Sequence, residues 1–138
     1  MEQVKNVAYT TAATAKGGRD GVVTSEDGVV DLPLGKPGST SNPKANPETL
    51  FAAGYSACFS GALNLVASKE GLDTSESTVT ATVKFGETEA GFGLAVDLVA
   101  NIPGVDEAKA KELVEKAHQV CPYSKATRGN IEVNVSAG

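Results

Sequence analysis

Between Leu50 and Ala67 almost every side chain is small or apolar, and no other feature of the sequence limits the possible folds so sharply. The surrounding segment, residues 46–72 (NPETLFAAGYSACFSGALNLVASKEGL), reads as one long helix. Asn46 suits the cap, and Pro47 suits the first helical position, where a missing N–H costs nothing. Gly71 is placed to end it. A helix that is apolar on nearly every face needs cover on every side, so it belongs in an interior. Its small residues, Ala52, Ala53, Gly54, Ala57, Gly61 and Ala62, allow another backbone to come close. A glycine inside a helix costs about 0.5–1 kcal/mol relative to alanine. Gly54 and Gly61 therefore point to close packing on the face they share with Phe51, Cys58, Ala62 and Leu65.

The rest of the chain alternates between strand and turn signals. Residues 4–15, 22–25 and 29–34 read as strands, joined by a glycine-rich turn at 16–21 and a hairpin at Asp27-Gly28. Residues 35–45 are turn formers throughout. After the helix, Val79, Ala81, Val83 and Phe85 alternate with Thr78, Thr80, Thr82 and Lys84. A second long strand follows over 92–102. Asp106 suits the cap of another helix, with Ala110, Leu113, Val114, Ala117 and Val120–Cys121 as its apolar stripe and Pro122 as its stop. Ile131, Val133 and Val135 form a last strand. The order is β3-α-β2-α-β, an α+β class with largely antiparallel sheets. At 138 residues the length fits a single domain, 1–138. Hydrophobic residues are 41% but aromatics only 5%, so Val, Ala and Leu must build the core. Two small sheets and one amphipathic helix give little cover for an all-round apolar helix, and a second copy of the chain would supply the rest.

A net charge of −5 and a pI near 4.8 argue against nucleic-acid binding, which needs a basic face. There is no basic amphipathic stretch for a membrane surface, no signal-peptide run at the start, and no window that approaches a membrane span. The expected location is the cytoplasm. Cys58 and Cys121 are the only cysteines. A static disulfide is unusual in the cytosol. Only His118 could join the two thiols as a soft ligand, whereas a structural zinc takes four, so no metal is expected.

Two unrelated buried thiols and a functional pair both remain open at this point. If the pair is functional, Cys58 lies too far along its helix for the dipole to form a thiolate, so a cation is required. His118 is one candidate. Arg19, in the glycine-rich turn beside Asp20, is a better one, and Glu48 could hold it. Each has a plainer reading. Glu48 complements a helix dipole, Arg19 is solvated, and Cys58 is a small core residue. Cys121 sits at a helix C-terminus, where a thiolate is disfavoured, which suits a second thiol rather than a first.

Three blocks decide between these readings: GRDG at 18–21, NPETLFAAGYSACF at 46–59 and VCPYSKATRGN at 120–130. In order and spacing they resemble the organic hydroperoxide resistance (Ohr) family of the Ohr/OsmC superfamily, across nearly the whole chain. Thr49 and Ser56 depart from the expected Gln and Ala, and the 35–45 loop is short. The resemblance implies an OsmC-like fold, an intertwined homodimer with a long buried central helix. It also implies a thiol peroxidase that needs no metal or haem and reduces organic hydroperoxides, including those of fatty acids. Cys58 would be the peroxidatic cysteine and Cys121 the resolving one, with Arg19 stabilising the thiolate and Glu48 holding Arg19. The implied reductant is an external dithiol, dihydrolipoamide on a lipoylated protein. Phe51, Phe59, Phe85 and Phe92 are candidate pocket walls. The rival readings are an OsmC-type peroxidase of broader range and a non-catalytic carrier of apolar ligands.

Overall fold

Short strands open the chain. In the computed structural model, which describes residues 1–138, β1 (Ala13–Lys16), β2 (Val22–Ser25) and β3 (Asp31–Pro33) form an antiparallel sheet in that order. Ala13 pairs with Ser25, and Val22 with Pro33. The alternation over 4–15 yields only the four residues that β2 can pair, and Val7 and Tyr9 remain exposed. Arg19 rides on a 3-10 turn, Gly18–Asp20, between β1 and β2. The turn closes through Gly21, where a Cβ would lie 1.8 Å from the Lys16 carbonyl oxygen. At the β2–β3 hairpin the Asp27 carboxylate accepts from Ser25 Oγ at 2.6 Å and Val29 N–H at 3.0 Å. Residues Met1–Pro47 make up this first compact unit.

The second unit, Glu48–Gly138, carries the core. Helix α1, Pro47–Ser68, is the long apolar helix. It ends through Gly71, at φ 74°, and a Leu72 N–H that returns to the Ala67 carbonyl at 3.0 Å. Strands β4 (Thr78–Thr88) and β5 (Gly91–Asn101) form a long antiparallel hairpin, with Thr78 opposite Asn101. Helix α2, Glu107–Val120, is capped by Asp106, whose carboxylate accepts from Lys109 N–H at 2.7 Å. A third helix, α3 (Pro122–Thr127), precedes β6 (Val133–Ala137).

One expectation is corrected here and one is made more specific. Pro122 does stop α2, but it also starts α3, because a proline at N1 is preorganised for the helix it opens. The sheets are largely antiparallel as expected, and the exception is β6, which runs parallel to β5 with Val96 opposite Val133. The helical α2–α3 crossover returns the chain to the end of the sheet where β5 began, as a parallel pairing requires.

Tyr55, Phe59, Leu63, Val66 and Ala67 of α1 pack with Val96, Leu98 and Ala100 of β5 and Leu113, Val114 and Ala117 of α2. Only that side of α1 is buried within the chain. Ala53, Ala57, Gly61 and Leu65 form an exposed stripe, with Leu65 51% exposed. The expectation of burial on every face therefore does not hold within one chain. Nor does the reading that no window approaches a membrane span. By length and composition α1 passes that test, although its inner side chains are the core of this fold.

Candidate functional site

Cys58 lies near the middle of α1, and Cys121 is the single residue between α2 and α3. Cys121 belongs to both helices. Its N–H donates to the Ala117 carbonyl at 2.9 Å, and its carbonyl accepts from Lys125 N–H at 3.0 Å. That double constraint points a fully buried thiol at Cys58, with the two Sγ atoms 3.5 Å apart and both cysteines free.

The electrostatics at Cys58 favour the thiol over the thiolate. Burial pushes the Cys58 thiol above its ordinary value, the Tyr123 backbone N–H pulls it back, and the neighbouring Cys121 thiol raises it again. Thiolate chemistry at Cys58 therefore needs a positive charge to offset desolvation. His118 does not supply it: its Nδ1 is 2.7 Å from Ser124 Oγ, and burial, then Arg128, holds its pKa below the ordinary range. Arg19 sits on the 3-10 turn of the first unit and Glu48 in the first turn of α1.

Tyr123, one residue into α3, lies across Gly54, one turn before Cys58 on α1. A Cβ at Gly54 would stand 2.7 Å from Tyr123 Oη, so the close packing expected at Gly54 is with a ring of the same chain. At Gly61 a Cβ would meet nothing within 4 Å. The Tyr123 ring makes edge-on and tilted contacts with Phe51 at 6.4 Å and Tyr55 at 5.7 Å. Phe51 and Tyr123, with Leu94 and Ile131, wall a largely apolar cavity of about 440 Å³. Of the other expected wall residues, Phe59 is a core residue, wholly buried and packed beside the His118 ring at 6.5 Å. Phe85 and Phe92 stack at 4.9 Å near the tip of the β4–β5 hairpin, where both are exposed and Phe85 borders a second cavity of about 380 Å³.

Comparison with known proteins bears on this geometry. Residues 38–136 match the family of OsmC-like proteins, a span that holds Glu48, Cys58 and Cys121. The organic hydroperoxide resistance protein of Xanthomonas axonopodis pv. citri is 46% identical, covering 99% of both chains. The chain belongs to the Ohr family of OsmC-like proteins. The fold agrees with crystal structures of other members. The organic hydroperoxide resistance protein OhrB of Bacillus subtilis superposes with a TM-score of 0.89 at 43% identity, over 96% of this chain and 100% of that one. An organic hydroperoxide resistance protein from Elizabethkingia anophelis gives 0.88 at 55% identity, over 98% and 99%.

Some polar residues near the two cysteines escape a reading of the sequence. Tyr55 lies three residues before Cys58, while Tyr123, Ser124 and Thr127 follow Cys121 in α3, and none stands out by composition. The available signal is Tyr55 itself, since a phenol in a buried helix needs a hydrogen-bond partner. Ser124 and Thr127 give it one, at 2.8 and 3.1 Å.

Proposed function

We propose that this chain is a cysteine-dependent peroxidase that reduces organic hydroperoxides to alcohols. Family membership ties it to organic hydroperoxide resistance and oxidative stress. The observation that carries the finer reading is the pair of free thiols 3.5 Å apart, one part-exposed and one buried. The part-exposed Cys58 meets the peroxide. Its thiolate attacks the terminal hydroperoxide oxygen, the O–O bond breaks, and the alcohol leaves with a proton, so Cys58 becomes a sulfenic acid. The Cys121 thiol then attacks Cys58 Sγ. The new S–S bond displaces hydroxide, which leaves as water with the Cys121 proton. To close, the sulfurs must move from 3.5 Å to about 2.05 Å. An external dithiol, by our reading a lipoyl group on another protein, reopens the disulfide by exchange. The reaction needs no resident cofactor.

Arg19 takes the role of the required cation and Glu48 that of its carboxylate partner, as the resemblance of the 18–21 and 46–59 blocks implies. The cavity beside Phe51 and Tyr123 suits an apolar tail, including that of a fatty acid, better than hydrogen peroxide. The site works in a cytoplasmic homodimer, and the exposed small-residue stripe of α1 supports helix-to-helix pairing about a two-fold axis.

The test is anaerobic titration of the reduced protein with one equivalent of cumene hydroperoxide. Wild type should lose both thiols and yield one alcohol. Cys58→Ser should not react, and Cys121→Ser should consume one equivalent and hold a sulfenic acid detectable by mass. A carrier of apolar ligands would retain both thiols, and equal loss of reaction in the two variants would overturn the assigned roles.

A further inference from the structure

A line of buried polar groups runs through the three helices beside the thiols. Tyr55, Ser124 and Thr127 are at most 5% exposed, and each has its hydroxyl in the core. Tyr55 Oη is 2.8 Å from Ser124 Oγ and 3.1 Å from Thr127 Oγ1, and Ser124 Oγ is 2.7 Å from His118 Nδ1. Thr127 Oγ1 donates to the Ser124 carbonyl at 3.2 Å. With that hydrogen placed, one assignment lets every group donate once. His118 Nδ1–H donates to Ser124, Ser124 to Tyr55, and Tyr55 to Thr127. His118 Nδ1 and all three hydroxyls then have a partner, and no buried side-chain N or O in the protein lacks one.

The spacing of these groups is what gives them a role. His118 and Ser124 stand three residues before and three residues after Cys121. Tyr55 stands three residues before Cys58 on α1. The polar chain thus ties the backbone on both sides of one sulfur to the helix that bears the other. Arg128 clamps the same corner a second time by donating to the His118 carbonyl. None of the four groups is a reactant in the thiol chemistry proposed above.

We propose that the His118–Ser124–Tyr55–Thr127 chain is a positioning device for the resolving step, with Ser124 as its hub. This rests on the peroxidase reading above and adds residues to it. Attack by Cys121 on the Cys58 sulfenic acid is intramolecular, so its rate depends on how closely the two sulfurs are held in line. Burial holds His118 neutral, which keeps the chain free of charge next to the thiols. Loss of one hydroxyl leaves buried partners unsatisfied and frees the α2–α3 corner to drift. Over-oxidation then competes, because a sulfenic acid that waits can react with a second hydroperoxide to give sulfinic acid.

The experiment compares wild type, Ser124→Ala and Tyr55→Phe in single turnover with cumene hydroperoxide. Three quantities are followed: peroxide consumption, disulfide appearance and sulfinic acid by mass, with melting temperature measured alongside. Tyr55→Phe keeps the ring contacts and serves if Ser124→Ala does not fold. In each folded variant, peroxide consumption should stay within about twofold of wild type, while disulfide formation slows on the order of tenfold, the scale of one buried hydrogen bond. Sulfinic acid should rise at matched excess peroxide. Disulfide formation at the wild-type rate in the folded variants would overturn the assignment alone. Equal slowing of both steps would also overturn it, since that marks general loss of structure. Wild type that keeps both thiols would overturn the peroxidase reading and this assignment together.

Discussion

Gly54 sets two costs against each other. Alanine there would favour the helix by about 0.5–1 kcal/mol. The same methyl would meet Tyr123 Oη at 2.7 Å and Cε2 at 3.1 Å. Those atoms are the far end of a side chain that is 40% exposed, so the ring can swing away. Gly54→Ala should therefore leave stability within about 1 kcal/mol of wild type by thermal denaturation. The displaced ring is a wall of the apolar cavity, so KM for a long-chain hydroperoxide should rise several-fold while that for a small one changes little. An unchanged KM ratio would remove Tyr123 from the pocket. At this scale the sequence was legible where chemistry is scarce. Two cysteines in 138 residues draw notice, and the structure does bring them together. Serine and threonine are common, and nothing local distinguishes Ser124 and Thr127 from surface hydroxyls until the fold turns them toward Tyr55.

Among the elements, α1 departs most from its sequence-based expectation. Its inner face is packed, whereas Ala53, Ala57, Gly61 and Leu65 face outward. Gly61→Ala reports on what that stripe does. In an isolated chain the methyl meets nothing within 4 Å. It should then stabilise the helix by about 0.5–1 kcal/mol. Against a partner helix at close range it would push two backbones apart. We expect the second outcome, a lower melting temperature and weaker self-association in sedimentation; a stabilised protein of unchanged association would leave the stripe facing solvent. The α2 cap at Asp106, the α1 end at Gly71 and the turn at Asp27-Gly28 are legible in the sequence because their signals are local. The strand expected over 4–15 is paired only from Ala13. Alternation says which residues share a face, not whether another backbone is there to pair with.

For the whole molecule, the sharpest question is which chain supplies each part of the site. Glu48 precedes Cys58 by ten residues on one helix, about 15 Å along its axis at ~1.5 Å per residue. One arginine side chain does not easily hold Glu48 and touch Cys58 of the same helix. Two antiparallel copies of α1 would bring Glu48 of one chain toward Cys58 of the other. Co-refolding inactive Cys58→Ser with inactive Arg19→Ala should then recover roughly a quarter of wild-type activity, since about half of random dimers are mixed and each holds one intact site. Verified heterodimers that stay inactive would place the site within one chain. The sequence by itself determined the α+β class, the central helix, its end at Gly71 and the two thiols, because periodicity and turn chemistry act over a few residues. The tertiary structure alone decided that β6 runs parallel to β5, that Cys121 meets Cys58, that Tyr123 covers Gly54 and that four polar side chains join three helices. Those contacts join residues far apart in the chain, Tyr55 and Ser124 by 69 positions. Only the packing of whole elements sets such distances.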